Sequence, residues 1–188
     1  MRQIVKVLLA VLSFFPISLY AQSLTDRQAL CLKGQVKRVT YSDGNSIAFN
    51  QQGKVISVKN KEGKYAKKIV HNKQGLISVA LFDDQYYRWE FKYQNGKLTS
   101  IDMNYLYWDE SYTYSDFAQG LPWLIKYESS GEGITSTVKA KVQYGDQDSH
   151  GNWCWRRMVG DMIETNENEE TRRTLDYDES ITRQIFYW

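Results

Sequence analysis

The chain has 188 residues, of which 42% are hydrophobic and 14% aromatic, and its 24 Lys and Arg outweigh 22 Asp and Glu by only two charges. That length suits one domain large enough to bury a core. Arginine and aromatic residues are too sparsely interleaved in its basic stretch for nucleic acid to be a partner.

Arg2 and Lys6 precede an apolar run from Val7 to Leu19 that ends at Ala21-Gln22, the layout of a secretory signal peptide over residues 1–21. The run contains Pro16 and is too short for a confident membrane span. The expectation is therefore an exported protein of the periplasm, cell surface or exterior. Its single domain is 22–188, with no transmembrane span once the signal is removed. That domain has 22 cations and 22 anions, unevenly placed: residues 22–80 hold 11 cations and 3 anions, residues 81–188 hold 11 and 19. Lysines that keep solvated strand edges from aggregating account for the basic half. Cys31 and Cys154 are an even count, which in an oxidising compartment permits a disulfide; two unpaired buried thiols are the other reading.

A polar lead from Gln22 to Ala29 contains Ser23 and Thr25, either of which opens one helical turn. Glycines then fall at 34, 53, 75, 96, 120 and 151. Gly34-Gln35-Val36-Lys37-Arg38-Val39 aligns with Gly53-Lys54-Val55-Ile56-Ser57-Val58 and with Gly96-Lys97-Leu98-Thr99-Ser100-Ile101, each with apolar residues three apart. Phe49-Asn50-Gln51-Gln52, His71-Asn72-Lys73-Gln74 and Tyr93-Gln94-Asn95 stand ahead of three of these glycines and supply polar turn formers. Spacings of 19, 22 and 21 residues suit one two-stranded unit per repeat.

The clearest unit runs from Tyr86 to Ile101. Tyr87, Trp89, Phe91 and Tyr93 alternate with Arg88, Glu90 and Lys92, the period of a strand with one buried face, and Asn95-Gly96 is a type I′ turn pair. Regular pairing beyond that turn would put Ile101 and Met103 on the wrong face. One extra residue at Thr99-Ser100, opposite Lys92, restores the match and predicts a β-bulge, which the spacing suggests for sister units too. Further on, Ile134, Ser136, Val138, Ala140, Val142 and Tyr144 alternate with polar residues after a turn at 129–133. The acidic run from Gly160 to Glu170 reads as a mobile loop, and a last strand pair around 172–177 and 181–188 closes the sheet. The fold class expected is all-β: an antiparallel meander of repeated β-hairpins, about a dozen strands, forming a twisted, curled sheet or partial barrel.

The glycine-cornered units resemble the YD-repeat (Rhs-repeat) family, and the whole resembles small exported bacterial proteins with degenerate repeats of that kind. Gly151-Asn152-Trp153-Cys154-Trp155-Arg156-Arg157 is similar to the last unit of such proteins. The Tyr-Asp pair of the family is missing from every turn; Tyr177-Asp178 lacks the following glycine. The resemblance implies a non-catalytic exported module for structural support or binding of a glycan or envelope protein. It also brings a second idea, an accessory or neutralising partner of a secreted toxin.

No residue set reads as catalytic, and neither a metal nor a cofactor is expected. His71 occupies the slot of Phe49 and Tyr93 in sister units, and His150 lies in an Asx-rich turn with Ser149. Asp83, Asp84, Glu90, Asp102, Asp109 and Glu110 are numerous enough to keep a glycan-directed hydrolase as the alternative. The stronger feature is a surplus of rings. Tyr86 and Trp108 on one face, with Tyr105 and Tyr107 on the other, are the candidate binding aromatics.

Overall fold

The computed structural model describes residues 24–83, 87–166 and 169–188, with side chains from 174 onward in the last stretch. The expected leader at 1–21 and Tyr86 lie outside the described residues. One helical turn, α1 (Asp26–Ala29), is followed by β1 (Val36–Tyr41), β2 (Ser46–Phe49), β3 (Val55–Lys59), β4 (Lys68–His71), β5 (Ile77–Leu81) and β6 (Arg88–Gln94). The second half comprises β7 (Lys97–Asn104), β8 (Trp108–Ala118), β9 (Leu121–Gly131), β10 (Ile134–Gln147), β11 (Trp153–Asn166) and β12 (Glu169–Tyr187). The fold is all-β, as expected. Among the described residues, no helix is long and apolar enough to cross a membrane.

The strands form one antiparallel sheet in the order β3-β2-β1-β12-β11-β10-β9-β8-β7-β6-β5-β4. Two meanders are thus joined where β1 pairs with β12, Val39 opposite Ile185 and Tyr41 opposite Arg183. The two remaining edges approach one another: Lys59 bridges Tyr65, and the Ala66 N–H donates to the Val58 carbonyl at 2.8 Å. The sheet is a nearly closed barrel, which removes most of the free edge that a flat sheet would carry.

The expected bulge is present. Lys92 lies opposite Ser100 and Tyr93 opposite Leu98, so Thr99 is the extra residue, while Phe91 meets Ile101 and Trp89 meets Met103. Lys37, Ile56 and Ser78 are skipped in the same way, and each stands three residues after its glycine. The bulge lets apolar residues three apart face the same side. Val36, Val39, Val55, Val58, Ile77 and Ala80 are accordingly all at most 2% exposed.

The corners share a hydrogen-bond scheme. Oδ1 of Asn50, Asn60, Asn72 and Asp148 accepts the N–H of Lys54, Lys64, Leu76 and Asn152 at 2.9, 2.8, 3.0 and 2.9 Å. Each following glycine donates its own N–H back to the Asx carbonyl at 2.9–3.0 Å. Asn95 and Gly96 have φ of 51° and 75°, as a type I′ hairpin requires.

Two expectations are corrected. The acidic run is not a loop as far as Asn166: Gly160 to Asn166 belongs to β11 and is paired on both sides, with Asp161 opposite Lys139 and Asp176. Residues 167 and 168 lie outside the described residues. Nor is the end of the chain a strand pair. β12 is one strand of 19 residues, its first part paired to β11 and its second to β1. Asp178-Glu179-Ser180, which separates the two expected strands, stays extended because Val159, Met158 and Arg157 of β11 supply its ladder partners.

The interior divides into two clusters. One is built on Val36, Phe49, Val58, Ile77, Trp89 and Phe91 from β1 to β6, with Met103 of β7. The other is built on Ile125, Val138, Val142, Met158 and Ile181, with tyrosines packed against it. The second cluster contains fewer large aliphatic residues, and a void lies between the two.

Candidate functional site

One end of the barrel is closed by the segment around α1. Thr25 caps the turn: its Oγ1 accepts the Gln28 N–H at 3.3 Å, and Gln28 Oε1 accepts the Thr25 N–H at 2.9 Å. Asp26, fully buried, accepts the N–H of Val55 at 2.7 Å and of Ile77 at 2.6 Å, with His71 Nε2 at 3.3 Å. Arg27 donates to the Gln51 carbonyl at 2.9 Å and to Gln35 Oε1 at 3.0 Å. Farther on, Cys31 Sγ donates to the Gly120 carbonyl at 2.8 Å, and the Asn152 amide brackets the backbone of Lys33 at 2.8 and 2.9 Å. The glycine corners of successive units are thereby tied together by a single crossing strap.

Inside that floor is a cavity of about 580 Å³, a volume typical of small-molecule sites. Ala29, Leu30 and Cys31 line its base; Ile47, Trp89, Phe91, Ile101 and Met103 line one wall; and Tyr112, Tyr114, Tyr127, Tyr144, Trp153 and Tyr177 line the other. It reaches the surface at the exposed residues Asp43 and Asp178. Lys61 also lines it and pairs with Glu110 across the rim at 2.9 Å.

Two arginines project into this space. Arg183 of β12 lies opposite Tyr41, and Arg156 of β11 lies opposite Tyr144 and Ile181. Arg183 is 6% exposed, its Nε donates to the Trp153 carbonyl at 2.5 Å, and its guanidinium sits 3.7 Å from the centre of the Trp153 ring. Burial lowers its pKa, though arginine keeps its charge at neutral pH. Burial pushes Tyr114 and Tyr144 up to about 12, against the opposing pull of Arg156. It also raises the Cys31 thiol despite Lys97 and Arg183. At neutral pH these phenols and this thiol therefore carry their protons, and the phenols are hydrogen-bond donors rather than bases.

The candidates chosen from sequence are scattered. Tyr105 turns inward onto Tyr87, with ring centroids 4.9 Å apart. Trp108 lies flat over Gly131, where an added Cβ would come 2.2 Å from the indole. Tyr107 is 76% exposed in the β7–β8 turn. The described candidates thus share no common surface. Cys31 and Cys154 are free thiols, Cys154 Sγ facing the Asn152 carbonyl at 3.8 Å. His150 stacks on Tyr187 at 4.1 Å, and His71 braces Asp26. Glu90 and Asp102 stand on the outer wall with Arg88 and Lys92. Among the described residues, no group of three His, Cys, Asp or Glu side chains is gathered around a metal-sized space.

Sequence reasoning missed Arg156, Arg183, Trp153 and the inner tyrosines. A signal existed for two of them. Arg156 shares a period of two with Met158, and Arg183 with Ile181 and Ile185, so each is a cation inside an otherwise inward series. No protein-family profile matches the chain, and neither a curated protein nor a solved structure matches it.

Proposed function

We propose that the protein is a non-catalytic exported binding module whose ligand, a small organic molecule, sits in the barrel lumen. The observation that carries this reading is the 580 Å³ cavity, walled by rings and aliphatic side chains and floored by a dedicated strap. A concave, ring-lined space of that size that opens to the surface is the kind of site small organic ligands occupy. The protonated phenols and thiol supply contacts and donors, and the carboxylates that line the cavity are each taken up by a neighbouring donor. A site built on paired strands also holds its geometry better than one on loops.

Titration with N-phenyl-naphthylamine, an uncharged fluorophore, tests this. The probe should brighten saturably with one site per chain and receive energy from Trp153. Replacing Ile181, which lines the cavity, with Trp should narrow it and weaken binding at least about tenfold. A probe that stays dark, or that binds the narrowed variant equally well, would remove the proposal.

A further inference from the structure

We infer that the lumen takes a molecule with an apolar body and a carboxylate, seated head-down with the carboxylate against Arg183 and Arg156. This rests on the lumen being a binding site and adds the class of ligand. The buried Nη2 of Arg183 and the buried Nε of Arg156 have no acceptor. Both guanidiniums lie near one ring, at 3.7 and 5.4 Å from the centre of Trp153. None of the ion pairs among the described residues includes either of them.

The acidic groups of the rim, by contrast, are engaged. Glu110 holds Lys61, Asp178 holds Arg157, Glu179 accepts the Tyr177 hydroxyl, and Asp43 accepts the N–H of Asn45. Arg183 is buried, with Tyr41 beside it, and Arg156 is half-buried; each keeps one donor without an acceptor and neither is in an ion pair, and the fork of a guanidinium matches a carboxylate with two parallel hydrogen bonds. Around them Tyr114 is a protonated phenol, while Tyr144 donates to the Pro122 carbonyl at 2.7 Å and so keeps its ring in place. Toward the other wall the lining becomes Phe91, Ile101 and Met103, which suits an apolar body.

The test is displacement of N-phenyl-naphthylamine from the purified protein by two acids and their methyl esters: laurate, an aliphatic chain, and naphthoate, an aromatic ring. At least one acid should displace the probe at a concentration about tenfold or more below its ester. The acid that does so identifies the body. Arg183→Met should bring that acid level with its ester. Should this variant not fold, Arg156→Gln and the acid-to-ester ratio of the unaltered protein decide. If the probe binds and neither acid outcompetes its ester, or if the ratio survives in the variants, the arginines only brace Trp153 and this inference falls while lumen binding stands. If the probe does not bind at all, the lumen reading falls first.

Discussion

Asp26 is the residue on which the closed end depends. Its carboxylate satisfies two backbone amides from different units, and none of it reaches water. Truncation to alanine strands both N–H groups in the interior, each worth about 1–3 kcal/mol, so Asp26→Ala should cost about 2–6 kcal/mol in urea unfolding. Asp26→Asn keeps one acceptor and should cost less. Asp148 plays a comparable part at the last corner. Its burial alone would raise its pKa; hydrogen bonds from Tyr187, Asn152 and His150 outweigh that and hold it below the usual carboxylate range. A depressed folded pKa stabilises the fold above the unfolded value of about 3.9 and ceases to do so as pH falls through the folded value. The urea midpoint should therefore drop in that acid window, and Asp148→Asn should flatten the drop.

At the level of strands and corners, most of the architecture was legible, because alternation and turn chemistry are local. The position of Thr99 as the extra residue follows from parity alone, and the same arithmetic applies at Lys37, Ile56 and Ser78. What misled was also local: Asp178-Glu179-Ser180 and the acid-rich run as far as Asn166 look like breakers, yet ladder pairing holds them extended. Deleting Thr99 should force Phe91 and Ile101 out of phase and abolish the cooperative thermal transition followed by near-ultraviolet circular dichroism. Two glycines separate backbone freedom from space. Gly120, with φ of 84° and nothing within 4 Å of an added Cβ, should lose about 1–2 kcal/mol on change to alanine. Gly160 lies where that Cβ would come 2.0 Å from the Lys139 carbonyl, so alanine there should cost about 3 kcal/mol or more as β10 and β11 separate.

For the whole molecule, closure creates the site, and that is why the site was hard to read. Arg183 and Tyr41 become neighbours only because β1 pairs with β12, and no local pattern announces that pairing. Of the candidate rings, the barrel turns Tyr105 inward onto Tyr87 and leaves Tyr107 exposed. Its tyrosines should also set an alkaline limit. Tyr114, Tyr144 and Tyr187 are pushed up to about 12, burial being the largest cause at each. A raised folded pKa stabilises the fold below the unfolded value of about 10 and is lost as pH rises through the folded one. Tyrosinate absorbance and loss of ellipticity should therefore rise together above pH about 10.

The joining of Val36 to Tyr187 and of Arg38 to Phe186 also imposes an order in time. A ribosome adding about 5–20 residues each second leaves β1 without its second neighbour for on the order of ten seconds. Throughout that interval the newborn polypeptide presents a bare strand edge to everything around it, so a holding chaperone should engage it there and let go only after its C-terminal residues have emerged.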